Sequence, residues 1–372
     1  MLGGYGNFGA RICRALSGDP SIDLLVGGRD LARARSLAGT LGHGALGVAI
    51  DQTASDAARA LQRLGVDLII NTAGPFQQQD YTLAAAAATA RAHYIDIADG
   101  RRFVCDFQAA MDATFRAANR IAVSGASTVP ALSSAVVDHL CAGWQRIDVI
   151  DTCIAPAQTA PRGVATMAAV LSYCGEAMQV WDGGRWQSRR GWARPEWIRF
   201  AQLRPRLGAL CDIPDLEIFP VHYRTTQRVM FRAALEVGLA QRGLAVLAAL
   251  RSIGLIKRPS RLAWLLNQVA RPLDFLGSAL GGMVVRVAGI DLSGHPRQRA
   301  WNIAADTDHG PEIPCMAAIL LARRLARAHG LPVGAFACYG MLPLAEFEPE
   351  FGRWGMTTVI IEERTEHGAA PV

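Results

Sequence analysis

Through the first third of the chain, short runs of β-branched and apolar residues alternate with Ala-rich stretches whose apolar positions recur at helical spacing. That alternation is the pattern of a parallel sheet wound with helices. Strands are predicted at residues 24–27, 45–50, 66–71, 94–97 and 121–123, with helices at 8–16, 31–41, 54–64, 81–92 and 102–119. After Ser124 the alternation stops. Residues 129–141 read as a helix leading out of the first domain and 147–154 as the first strand of a second. Residues 162–174 read as a helix, 179–187 as a hairpin around Asp182-Gly183-Gly184, and 229–236, 283–292 and 299–305 as further strands. Residues 311–327 open with Pro311 and Glu312 and carry apolar residues at helical spacing, a well-marked helix. The fold class expected is α/β: a Rossmann doubly wound parallel sheet (1–128), an α+β substrate and dimerisation domain (129–310), and a C-terminal helix and strand (311–360). The pattern leaves open whether this last part docks on the first domain.

Gly4-Tyr5-Gly6-Asn7-Phe8-Gly9 has the spacing of a dinucleotide-binding turn. The first glycine makes the bend, the second lets a pyrophosphate approach the backbone, and the third lets helix and strand pack closely. The pyrophosphate would sit on the helix N-terminus, where amide N–H groups and the helix dipole favour an anion. The strand expected ahead of this turn is represented by Met1 and Leu2 alone. A truncated first strand, or a start placed too late, is the expectation, and an upstream in-frame extension should then stabilise the protein.

An NAD-specific domain carries an Asp or Glu about 20 residues beyond the glycines, where it binds ribose hydroxyls and repels a 2′-phosphate. Here the positions are Gly27, Gly28 and Arg29. The glycines leave room for a phosphate, and the guanidinium fork of Arg29 matches one. NADP(H) is therefore expected ahead of NAD(H). Asp30 could bind a ribose hydroxyl, but its expected use is to cap the helix from Leu31.

The 372 residues, 51% hydrophobic and 19% charged, suit two globular domains, with disorder expected only from about Thr365 to Val372. A net charge of +6 raises nucleic acid as a partner, yet the arginines are spread along the chain, so none is expected. Lys257 is the only lysine, which leaves little scope for Schiff-base chemistry. The eight cysteines lack close pairing and suit free thiols in a reducing cytoplasm. No stretch has a signal-peptide pattern, and the greasiest one, 237–256, is interrupted by Gln241, Arg242 and Arg251.

Gly3–Ala10, Gly28-Arg29-Asp30, Asn71-Thr72-Ala73-Gly74-Pro75-Phe76, the stretch from Tyr94 to Gly100 and Ser124-Gly125-Ala126-Ser127-Thr128-Val129-Pro130 resemble the saccharopine dehydrogenase-like oxidoreductases. The likeness covers the first 140 residues well and continues thinly through 289–305 and 313–327. It implies a Rossmann domain, an α+β domain for substrate and often for dimerisation, and redox chemistry at a C–N or C–C bond. Saccharopine-forming members carry Asp-Pro-Gly where this chain has Ser127-Thr128-Val129-Pro130, which argues against an amino-acid substrate.

In such folds the nicotinamide lies at the carboxyl ends of the strands. Ala73, Gly74, Pro75 and Phe76 should run beneath it, with the alternative of a plain Gly-Pro turn. Asp96, at the end of the strand predicted at 94–97, is expected at the cofactor; Asp99, just beyond, is a candidate proton donor or the cap of the next helix. His309, in a polar loop, is the other candidate, with a surface turn as its bland reading and Tyr94 and Tyr339 as weaker rivals. No metal-ligand spacing, nucleophile elbow or Walker loop is visible.

The reading is an NADP(H)-dependent reductase of an imine, enamine or activated alkene, with a small, partly apolar substrate, cytoplasmic and homo-oligomeric. The alternatives are a non-catalytic dinucleotide sensor and a lipid-handling enzyme at the membrane. The motive for the last is 243–275, where leucines, Val246, Ile253 and Trp264 mix with Arg251, Lys257, Arg258 and Arg261. A dimer interface or a core helix accounts for the same mixture.

Overall fold

The structure is a computed structural model that describes residues 1–363 apart from Ser55, Arg162, Ala328 and His329. The tail expected to be disordered lies outside the described residues. The chain divides into two compact units: residues 1–132 with 311–342, and residues 133–310 with those after 342.

In the first unit, β1 (Leu25–Gly28) pairs in parallel with β2 (Leu46–Ala49), and β3 (Leu68–Asn71), β4 (His93–Asp96) and β5 (Ile121–Ser124) form a second parallel set. The strand Gly334–Ala337 extends that set beyond β5. Leu2 joins the two sets by parallel bridges to Gly27 and Asn71. The Leu2 amide donates to the Ile70 carbonyl (2.9 Å), the Gly27 amide to that of Met1 (2.7 Å), and the Thr72 amide to that of Leu2 (3.0 Å). The order β2-β1-Leu2-β3-β4-β5 is that of a doubly wound sheet whose central strand is a single bridge residue.

The helices match their expected places where the local signals are strong. The Asp30 carboxylate accepts the Arg33 amide (3.1 Å) and so caps α2 (Leu31–Leu41), as expected. The helix expected over 102–119 is two helices, Arg101–Cys105 and Phe107–Ala118, meeting at Asp106. Alanines of the helix Thr82–Thr89 lie buried in one core with Phe107, Met111 and Phe115, since small side chains let a helix approach the sheet closely. The helix Ile313–Ala326 packs on α1 (Asn7–Leu16), where buried Glu312 is ion-paired with Arg11 and the Cys315 thiol donates to the Phe8 carbonyl.

The second unit is built on a mixed sheet. Trp144–Ala155 pairs in parallel with Arg228–Ala234 and antiparallel with Gly281–Asp291, which continues antiparallel through Pro296–Ala305 to Thr357–Glu363. The predicted hairpin is present as Ala177–Asp182 and Arg185–Arg190.

Asp215, in the first turn of the helix Asp215–His222, is 1% exposed, and burial pushes its carboxyl up to about 7 although the Ser133 hydroxyl beside it pulls the other way. The fold therefore accommodates the neutral acid. The stability this contributes is complete below the ordinary carboxylate range near pH 4, falls as pH rises towards about 7, and is gone above that. Asp215→Asn should leave the melting temperature unchanged at pH 4 and raise it by several degrees at pH 8, read in a melting series across that range. A gap between the two proteins that does not vary with pH would contradict this.

Candidate functional site

Because β1, β3, β4 and β5 run parallel, their carboxyl ends share one edge of the first unit, and the loops that follow them build the candidate site. The fingerprint turn is locked from inside. The Gly6 amide donates to the Gly3 carbonyl (2.8 Å) and the Gly4 amide to that of Gly27 (3.1 Å). A Cβ on Gly9 would stand 2.1 Å from the Gly3 oxygen, so only glycine allows α1 to start this close to the turn. Gly6 caps α1 with no side-chain hydrogen bond, and the first-turn amides of Asn7, Phe8 and Gly9 are those that a phosphate takes at such an end. This cradle fits a dinucleotide pyrophosphate.

Tyr5 lies across the end of β1. A Cβ on Gly28 would fall 2.4 Å from its ring, so the glycine at the end of the strand is what admits the aromatic side chain. The Tyr5 hydroxyl accepts the Asp30 amide (3.0 Å), and the Arg33 guanidinium stands 4.6 Å from the ring centroid, within cation–π range. Arg29 follows directly and is exposed. The region where a ribose 2′-phosphate would lie thus carries two arginines and a phenol, while the Asp30 carboxylate serves as the helix cap. Arg33 was not expected from the sequence. Its spacing, three residues beyond a capping Asp and so in the first turn of α2, is the signal that could have found it.

The loop after β3 is tied to the fingerprint. The Thr72 hydroxyl donates to the Leu2 (2.9 Å) and Gly3 (3.2 Å) carbonyls, the Asn71 side-chain oxygen accepts the Ala73 amide (3.0 Å), and Gln79 Nε2 donates to the Ala73 carbonyl (2.7 Å). Phe76 is buried 5.4 Å from the Phe103 ring, and Gly74 and Pro75 stay exposed above it.

Asp96, expected at the cofactor, is the last residue of β4. It is fully buried, and its Oδ1 accepts the Ala98 amide (3.0 Å), the Ser124 hydroxyl (3.0 Å) and the Gly125 amide (2.9 Å). Burial raises its carboxyl to about 6 against the pull of those donors. Asp96 is a clamp that holds the turn after β5 to the end of β4. Asp99 does not cap the next helix, whose N-cap is Gly100; its exposed carboxylate accepts Gln77 Nε2 (3.0 Å) at the same edge. Tyr94 is buried and its hydroxyl accepts Asn71 Nδ2 (3.2 Å), so it is a core residue, whereas half-buried Tyr339 follows the strand Gly334–Ala337.

His309 belongs to the second unit. Its ring lies 4.9 Å from that of Trp354, and its loop is held by Thr159, whose hydroxyl donates to Asp308 (2.6 Å). The first unit therefore gathers the fingerprint, Arg29, residues 73–75 and Asp99 at one edge, while His309 is placed by a different framework.

Residues 1–129 match the family model described as the saccharopine dehydrogenase NADP-binding domain. Over 97% of this chain and 98% of the other, the fold is similar to that of apo histidine-tagged saccharopine dehydrogenase (L-Glu forming) from Saccharomyces cerevisiae, with a TM-score of 0.70 at 12% identity. An engineered D-amino acid dehydrogenase bound to NADP+ aligns over 94% of this chain and 97% of its own, with a TM-score of 0.47 and 16% identity. C. glutamicum DAP dehydrogenase in complex with DAP covers the same shares, with a TM-score of 0.46 and 15% identity. No curated protein matches the chain by sequence. The match of residues 1–129 bears out the resemblance read from the fingerprint and its neighbours and NADP(H) as the cofactor.

Proposed function

We propose that this protein is an NADP(H)-dependent reductase of an imine, enamine or activated alkene in a small, partly apolar molecule, working in the cytoplasm as a homo-oligomer. The observation that carries the reading is the juxtaposition of an α1 N-terminus that no side chain caps with a β1 end followed by Arg29 and, in the first turn of α2, Arg33, while the Asp30 carboxylate is taken up in capping α2. When bound, the nicotinamide supplies hydride; the protein has to hold it and the substrate face to face and deliver a proton. In this reading α1 holds the pyrophosphate, Arg29 the 2′-phosphate, and Ala73, Gly74 and Pro75 the underside of the ring. Asp99, held by Gln77, gives its proton to the nitrogen or carbon left basic when hydride adds to its neighbour. His309 is the second candidate for that proton. Eight free cysteines suit a reducing compartment. Thr357–Glu363, an end strand of its sheet with Val359 and Ile360 exposed, suits pairing between copies.

The test follows NADPH absorbance with a panel of cyclic imines, enamines and α,β-unsaturated carbonyl compounds. Turnover is expected for at least one class, with Asp99→Asn lowering kcat about a hundredfold and changing its pH profile. If Asp99→Asn and His309→Gln both leave rate and profile intact, the proton comes from elsewhere. If NADPH binds and no substrate oxidises it, the protein is a dinucleotide sensor.

A further inference from the structure

We infer that the second unit carries a docking surface for an anionic lipid bilayer, formed by the helix Gly238–Ser252 and the segment that follows it to Leu276. Residues 237–273 contain six cations, Arg242, Arg251, Lys257, Arg258, Arg261 and Arg271, and no Asp or Glu. That equals the net charge of the entire chain, +6, so the rest of the molecule is neutral on balance. Arg251 is ion-paired with Glu176, while Arg242, Lys257, Arg258 and Arg261 are exposed.

The same segment exposes apolar side chains that a water-facing surface would leave polar. Val246 is 59% exposed, Ile253 70%, Leu255 71%, Trp264 61%, Phe275 81% and Leu276 54%. On the helix Gly238–Ser252, Leu239, Arg242 and Val246 follow one another at helical spacing along the exposed side, with exposed Ile253 just past its end, while Gln241, Leu247 and Ala248 are buried. An outward stripe of Leu, Val and Ile flanked by arginines, continued by an exposed Trp and Phe, is the composition that sits at the boundary between headgroups and acyl chains.

Charge decides between the occupants that would cover such a surface. A second copy would bring another set of exposed cations, Arg242, Lys257, Arg258 and Arg261, against the first, and like charges brought together oppose that association. An anionic bilayer meets both features at once, taking the apolar side chains into its interface and the cations onto its phosphates. Among the described residues no helix is long and apolar enough to cross a membrane, so the contact proposed is peripheral.

The test is co-sedimentation of the full chain with phosphatidylcholine vesicles and with phosphatidylcholine–phosphatidylglycerol vesicles, at low and high salt. Binding to the anionic vesicles only, weakened by salt, is expected. Lys257→Gln with Arg258→Gln removes two cations from the lipid phosphates and should lower the partition coefficient by roughly thirtyfold. Trp264→Ser with Phe275→Ser should lower it about tenfold or more. All four sites are exposed, so melting temperature and NADPH affinity should stay at the parent values, which keeps this test separate from the cofactor reading. The inference fails if anionic vesicles are not bound, or if binding survives both double variants. It also fails if sedimentation velocity shows an oligomer that Trp264→Ser with Phe275→Ser dissociates, because the surface would then join copies of the chain.

Discussion

Gly9→Ala is expected to weaken NADPH binding by on the order of a hundredfold or more and to lower the melting temperature of the first unit by about 10 °C. The added Cβ would lie 2.1 Å from the Gly3 oxygen and 2.8 Å from both the Gly3 carbonyl carbon and the Thr72 hydroxyl oxygen. Two of those atoms are backbone, so α1 has to move away from the turn and take with it the amides that hold the pyrophosphate. Overpacking of this kind costs about 3 kcal/mol, or more where backbone is displaced. Gly39→Ala provides the contrast. Gly39 lies inside α2 with nothing within 4 Å of a built Cβ, so alanine there should be neutral or stabilising by about 0.5–1 kcal/mol. Melting curves and NADPH fluorescence titrations of the two variants make the comparison. Equal effects from both would show that the close approach of helix and turn does not govern cofactor binding.

The second large effect falls at the adenosine end. Arg29→Ala should weaken NADPH binding ten- to a hundredfold and leave NADH nearly unchanged, the loss of one charge-assisted contact of ~1.5–3 kcal/mol. Its neighbours make the result interpretable. Asp30 keeps its cap on α2 and Tyr5 keeps its hold on the Asp30 amide whether or not the Arg29 side chain is present, so the loop itself should persist. Titration with both cofactors separates the outcomes. A parallel loss for NADH would make Arg29 a structural residue, and an initial preference for NADH would overturn the reading of this end of the site.

These expectations could be drawn from the sequence because their causes are local. Glycine spacing, the Asp30 cap and the Gly27-Gly28-Arg29 run act within a turn or two of themselves, and α2 falls where it is read, at Leu31–Leu41. The features that escaped depend on neighbours distant in sequence. Arg33 matters because its guanidinium lies over Tyr5, a residue two elements earlier. Asp96 is a clamp because β5 runs beside β4 and brings Ser124 and Gly125 to it; its position at the end of a strand does not reveal that from the sequence. In the second unit the helices Asp215–His222 and Leu344–Arg353 were hidden by Pro220 and Pro349, since an internal proline reads as a break. The exposure of Leu239, Val246, Ile253, Leu255 and Trp264 was equally out of reach, because composition alone does not tell an outward apolar stripe from a buried one.

The division of each unit between two separated stretches of chain bears on how the protein is made. The parallel sheet of residues 1–132 is complete only when Gly334–Ala337 lies beside β5, and Arg11 meets Glu312 only when the helix Ile313–Ala326 has been translated. At about 5–20 residues per second, the interval between Leu132 and Pro311 leaving the ribosome is roughly 10–35 s. During that time β5 presents an open edge and α1 an uncovered side, while nearly the whole second sheet emerges behind them. The nascent first unit is consequently the stretch of this chain most in need of a chaperone, and a ribosome stalled before Pro311 leaves it without its last strand.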